Sequence, residues 1–277
     1  MHLVDTHQHL WDLQQFPYSW TAGIPPLNRS FLPDDYRLAA ADTGITRAVF
    51  MECDVDEPHT LDEARHIQRL SETWPLIAGI VAGGRPGQDG FRAHLEQLAR
   101  LPRVRGVRRV LHTQPDAVSQ QAKFREDVRL LPEFGYTFDL CMLARQLPLA
   151  LALVEACPQV TFILDHCGVP DVKGRAFDPW REHLRALAGL PNVNCKISGL
   201  VAYADPAWTV ADLHPWVEHV IACFGWDRLV WGGDWPVCTL GAPLNRWVAA
   251  TRVLTTSATE EQRAKLHHRN AERLYRL

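Results

Sequence analysis

Two histidines one residue apart, His7 and His9, lie in the apolar opening stretch LVDTHQHLW (3–11). In an extended strand, residues two apart share a face, so both imidazoles project to the same side. Alone, an HxH pair is more often two packed or exposed histidines than half of a metal site. Two other stretches change its weight: LDHCG places His166 at the end of an apolar run, and WGGDWP places Asp234 just beyond another. Three imidazoles and a carboxylate suit one zinc ion with an open position for water, since Zn2+ takes nitrogen and oxygen ligands in a small shell. A hydrogen-bonded polar cluster without metal is the plain alternative.

For these side chains to meet, the runs that carry them must be neighbouring strands. Eight short β-rich apolar runs recur along the chain, at 3–10, 45–53, 75–83, 104–111, 136–142, 159–166, 192–198 and 228–233. Several are near-continuous Val, Ile, Leu and Phe with no polar face, as parallel strands covered on both sides require. Between them the spacing predicts helices: Leu147, Ala150, Leu151 and Val154 make one stripe, Val217, Val220, Ile221 and Phe224 another, and Trp180, Leu184, Leu187 and Ala188 a third. Eight strand–helix alternations predict an α/β fold, a (β/α)8 TIM barrel forming one domain over residues 1–277. A doubly wound open sheet alternates in the same way, but GGRPGQDG (83–90) lacks a phosphate-binding glycine spacing and reads as a loop. In a barrel the C-terminal strand ends meet on one face, which gathers His7, His9, His166 and Asp234 at one mouth. The Pro- and aromatic-rich segment from Gln14 to Pro33 reads as a long loop beside it.

With 47% hydrophobic and 22% charged residues over 277 positions, the chain can bury a large core. A net charge of −3 leaves no footprint for nucleic acid or an anionic membrane, so the expected partner is a small-molecule substrate. Monomer and small homo-oligomer both stay open. Seven scattered cysteines without a CxxC pair, and no signal or spanning segment, predict reduced thiols in a cytoplasmic protein. The run HHR (267–269) reads as a solvated helical face outside the metal site.

VDTHQHLW, ILDHCG and WGGDWP, in that order on an eight-strand alternation, resemble the amidohydrolase superfamily, in particular its lactonase-rich branch of sugar lactonases and pyrone dicarboxylate lactonases. GVRRVLH (106–112), CKISGL (195–200) and NAERLYRL (270–277) also resemble that branch, so the similarity spans the chain. The resemblance implies hydrolysis of a sugar-acid lactone, such as an L-fuconolactone or similar aldonolactone. Binuclear members carry a bridging Lys or Glu on strand four and a His on strand five, where this sequence has RRVLH and YTFDLCM, so at most one metal is expected. The metal would be a divalent ion, Zn2+ foremost, held by His7, His9, His166 and Asp234. Some members of the branch hydrolyse lactones without metal, which leaves both routes open.

Lactone opening needs an activated water, a polarised carbonyl and a proton for the departing alkoxide. Asp234 suits the first and last tasks as general base and then acid, and His166 is the other candidate catalytic residue. Arg108 and His112 share parity on strand four and are candidate substrate contacts, while Arg109 faces the helices. Glu52, closing strand two, is read as a metal ligand, a hydroxyl acceptor or the partner of Arg108. Lys196 on strand seven either reaches the substrate or holds Glu52. Asp165 alternates with His166 and is expected to point the other way, in a supporting role. Of Trp11, Tyr18 and Trp20 around the first loop, Trp11 is the aromatic expected at the substrate. Two other functions fit the frame: a metal-dependent decarboxylase of an aromatic or unsaturated acid, and a noncatalytic ligand-binding barrel.

Overall fold

Each apolar run contributes one strand, namely β1 (Leu3–Gln8), β2 (Ile45–Met51), β3 (Ile77–Gly83), β4 (Val104–Val110), β5 (Thr137–Cys141), β6 (Phe162–Leu164), β7 (Val193–Ile197) and β8 (Leu229–Trp231). The computed structural model describes residues 2–277. The strands form one sheet in the order β1 to β8, and every neighbouring pair is parallel. The seam between β8 and β1 is closed by bonds just past the strand ends: the Asp234 amide donates to the His7 carbonyl at 2.8 Å, the His9 amide to the Trp235 carbonyl at 2.8 Å, and the Thr6 hydroxyl to the Trp231 carbonyl at 2.7 Å. The result is a (β/α)8 barrel.

The helical stripes face the sheet with two adjustments. In the helix Leu147–Ala156 the buried positions are Leu147, Ala150, Leu153 and Val154, with Leu151 only half-buried. In Val210–Phe224, Leu213 and Trp216 join Val217, Val220 and Phe224 in the core while Ile221 stays half-buried. The first stripe is rotated by the exchange of Leu151 for Leu153 and the second is wider, since each helix packs against its neighbours as well as the sheet. Trp180, Leu184, Leu187 and Ala188 are all buried as expected.

Inside the barrel the filling changes with height. The lower part is apolar: Val4, Val49, Met51, Val81, Ile163 and Val230 pack with Leu274 and Tyr275 of the C-terminal helix Asn270–Tyr275, which seals that end. This corrects the reading of HHR as a solvated face, since His267 is buried and His268 half-buried where the chain turns into this helix. Above the apolar layer the interior is polar, and the long first loop, with short helical turns at Ser19–Gly23 and Pro25–Leu27, covers part of the mouth.

Candidate active site

Three imidazoles and one carboxylate converge at the C-terminal mouth. The Nε2 atoms of His9, His7 and His166 lie 3.6, 3.7 and 4.0 Å from Asp234 Oδ1. The backbone makes special arrangements to bring them there. The β1–β2 register shifts between Asp5 and Gln8, a strand irregularity of the kind that re-aims side chains at barrel rims. His166 and Asp234 both sit in the left-handed region, at φ 53° and 56°, which L-residues adopt only under constraint from their surroundings. Two glycines of the sequence motifs make the room. A Cβ on Gly199, itself at φ +69°, would lie 2.5 Å from His166 Nδ1, and one on Gly232 would lie 2.7 Å from His7 Cβ.

The other ring nitrogen of each imidazole is occupied. His9 Nδ1 donates to the Met51 carbonyl at 2.9 Å, His166 Nδ1 meets Ser198 Oγ at 2.9 Å, and His7 Nδ1 faces Asp165 Oδ1 at 3.4 Å. The Met51 carbonyl fixes His9 with a lone pair on Nε2 facing the cluster, the arrangement of metal-ligating histidines, while His7 also has Lys196 Nζ 3.3 Å from Nδ1 and Arg108 Nη1 3.3 Å from Nε2. Burial keeps all three rings neutral: it pushes His7 well below the usual range, His9 to about 3 and His166 downward. Burial also raises the Asp234 carboxyl to about 6, against the pull of His166 and Arg108.

Beneath the imidazoles lies a closed network of charges. Lys196 Nζ bonds Asp139 Oδ2 and Asp165 Oδ1, both at 2.9 Å, and the Tyr275 hydroxyl donates to Asp139 Oδ2 at 2.9 Å from the plugging helix. Arg108 bonds Glu52 Oε1 through Nε at 2.7 Å and approaches Asp165 Oδ2 at 3.4 Å. Burial opposes the charge on Asp165, but Lys196 and His7 outweigh it and hold that carboxyl well below its ordinary value. Together with Asp234, four buried carboxylates face two buried cations. That excess of negative charge and the neutral imidazoles fit a divalent cation: ligand atoms of His7, His9 and Asp234 lie within 4.8 Å of one another, as do those of His7, Asp165 and His166.

A cavity of about 330 Å³ opens above this floor, lined by His9, His166, Asp234, Arg108, His112 and Trp11 among others. Two expected substrate contacts are placed elsewhere. Lys196 is fully enclosed and tied to Asp139 and Asp165, so it neither reaches the cavity nor holds Glu52. Glu52 is likewise enclosed, and of its three readings the structure shows the partner of Arg108. Asp165 supports His7 but does not point away from His166: the left-handed turn at His166 and Cys167 breaks the strand alternation, and both side chains face inward. Arg109 stays outside and donates to the Pro86 carbonyl. Trp11 and Trp20 line the cavity, while Tyr18 turns its hydroxyl to Glu63 behind it.

Sequence reasoning missed Asp139, Asp54, Cys141 as a lining residue, and Tyr203. Asp139 carried a signal, as the one charged residue inside the apolar run YTFDLCM. Tyr203 sits in an irregular loop and had none.

Residues 4–277 match the family described as Amidohydrolase. An L-fucono-1,5-lactonase of Burkholderia multivorans is 34% identical over 86% of this chain and 83% of its own length. Another, of Burkholderia ambifaria, is 27% identical over 99% of this chain and 95% of its own. Among solved structures, an amidohydrolase of Burkholderia multivorans with bound zinc superposes with a TM-score of 0.90 at 28% identity, covering 100% of both chains. By its sequence from end to end and by its barrel, the chain belongs to the amidohydrolase family and is an enzyme.

Proposed function

We propose that the protein is a lactonase that opens the ester ring of a sugar-acid lactone with water. The observation that carries the hydrolytic reading is the convergence of three neutral imidazole nitrogens on Asp234 Oδ1, within 3.6–4.0 Å, at the floor of a cavity. The lactone class is supported by relatives named as L-fucono-1,5-lactonases and an L-rhamnono-gamma-lactonase.

His7, His9, His166 and Asp234 would hold one divalent ion, Zn2+ foremost. Such an ion supplies Lewis-acid polarisation and lowers the pKa of water. Asp234, with a carboxyl held at about 6, is ionised at neutral pH and takes a proton from the attacking water as its oxygen bonds to the lactone carbonyl carbon. When the bond between that carbon and the ring oxygen breaks, the same carboxyl returns the proton to the leaving alkoxide, giving a hydroxy acid. His166, kept neutral by burial and oriented by Ser198, turns its Nε2 toward Asp234 Oδ1 and would join His7 and His9 in holding the ion. Arg108 borders the cavity floor with its guanidinium held by Glu52 and Asp165, so its positive charge would act on the developing oxyanion from beneath rather than through a free donor.

A pH-indicator screen of lactones, run with chelator and after readdition of Zn2+, tests the reading. Acid release from lactones that chelator abolishes and Zn2+ restores is the expected result. Release unchanged by chelator would remove the metal from the account, and no release from any lactone would overturn the function.

A further inference from the structure

The cavity pairs an aromatic wall with a polar edge. Trp11 and Trp20 present ring faces to it, because both indole N–H groups are spent on backbone carbonyls, Trp11 Nε1 on Arg29 at 2.7 Å and Trp20 Nε1 on Cys53 at 2.8 Å. A ring face takes up the C–H side of a sugar ring. The hydroxyls of that ring need partners elsewhere. The bond to Cys53 ties the Trp20 ring to the residue before Asp54, and Asp54 is the one carboxylate besides Asp234 that lines the cavity. His112 lines it as well, with Nδ1 held at 3.2 Å from Cys141 Sγ and Nε2 without a partner among the described residues.

Asp54 is built as a placed acceptor. Its backbone lies in the left-handed region at φ 49°, a strained conformation of the kind that clusters at ligand sites. Its amide donates to Glu52 Oε2 at 2.8 Å, and its Oδ1 accepts from Arg85 Nη2 at 3.3 Å, while Arg85 is itself held by Glu57 Oε1 at 3.0 Å. Among the described residues nothing donates to Oδ2. Burial, reinforced by Glu52, raises the carboxyl to about 6, so above that pH the group is ionised and only accepts. Ring opening by Asp234 leaves this second carboxylate without a task.

We infer that Asp54 is a specificity-determining residue: its Oδ2 accepts a hydrogen bond from a ring hydroxyl of the lactone while the C–H side of that ring lies on Trp11 and Trp20. The site thereby selects polyhydroxylated lactones over their deoxy counterparts. A hydroxyl satisfies an acceptor that a hydrocarbon ring would leave desolvated and unpaired, so the discrimination is large. The inference rests on the sugar-lactone reading and names the residue that enforces it.

The test compares L-fucono-1,5-lactone with δ-hexalactone, the same methyl-substituted ring without its ring hydroxyls. If another aldonolactone is opened faster, it and its ring-deoxy counterpart take their place. With Zn2+-loaded full-length protein, kcat/KM for both lactones is measured in wild type, Asp54→Asn and Asp54→Gly, two residues that tolerate the left-handed backbone. Unfolding midpoints check that the fold is kept. The ratio of hydroxylated to deoxy kcat/KM, in which each ester's intrinsic reactivity cancels between variants, is expected to fall roughly tenfold or more in Asp54→Gly. It is expected to fall less in Asp54→Asn, whose amide oxygen still accepts. Should the deoxy lactone turn over too slowly to measure, its inhibition constant against the first lactone serves as the reference. A ratio that stays at the wild-type value in both variants, even where both rates fall together, overturns the inference and leaves the lactonase reading standing. Wild type that opens δ-hexalactone but no aldonolactone also overturns it, with lactone hydrolysis kept. If the Zn2+-loaded protein opens no lactone of either kind, the lactonase reading fails and this inference falls with it.

Discussion

Single residues at the site are constrained by space and burial. Gly199 lies at φ +69°, with a missing Cβ whose place is taken by the His166 ring at 2.5 Å. Gly199→Ala therefore adds a left-handed backbone penalty of roughly 1–2 kcal/mol and also displaces His166. Activity should fall far more than stability, as read by kcat/KM beside a urea unfolding curve. Glu63 is a second test. Burial, reinforced by Glu52, raises its carboxyl from 4.5 to about 8. Between those values the unfolded chain ionises Glu63 while the folded chain keeps the proton, so Glu63 erodes stability as pH rises through this window. Glu63→Gln should flatten that slope and be the more stable protein at pH above about 8, by an amount on the order of a few kcal/mol in unfolding free energy. His7, His9, His166 and Asp234 were legible in the sequence because each is a polar residue at the end of an apolar run. Ile24, Leu27 and Tyr203 were not, because irregular loops carry no period from which to read a side chain's direction.

At the scale of elements, strand alternation accounts for Arg108 and Arg109, which face the interior and the outside from adjacent positions of β4. It fails for Asp165, because β6 ends at Leu164 and the next residues enter a left-handed turn. The roles of Lys196 and Glu52 were misjudged for a different reason. Parity says which face a side chain takes but not how far up the barrel it sits, and both stand below the cavity in the charged layer. That layer joins β5, the end of β6 and β7 to the C-terminal helix through Lys196, Asp139, Asp165 and Tyr275. Lys196→Met would leave two enclosed carboxylates without their cation, and unfolding free energy should drop by about 3–5 kcal/mol. A loss below about 1 kcal/mol in chemical denaturation would show that the network contributes little.

For the whole molecule, eight alternations sufficed to predict the barrel, since only closure brings the first and last strands together and gives four dispersed residues one mouth. The proposed ligands His7, His9, His166 and Asp234 lie on β1 and just past it and beyond the ends of β6 and β8, so an ion bound there would tie distant parts of the chain in the folded state alone. Zn2+ in hundredfold excess over its Kd should then add about 2.7 kcal/mol to stability, and the added Tm should vanish in a His9→Ala, His166→Ala double variant. A rise in Tm that survives this variant would place the ion elsewhere. The central claim, that Asp234 drives hydrolysis of a lactone at this mouth, is tested most directly by the kcat for lactone opening of Asp234→Asn, measured beside wild type with circular dichroism as a check on folding. A folded protein whose kcat is lower by about a hundredfold or more is expected; a folded Asp234→Asn with unchanged kcat would remove Asp234 from the chemistry.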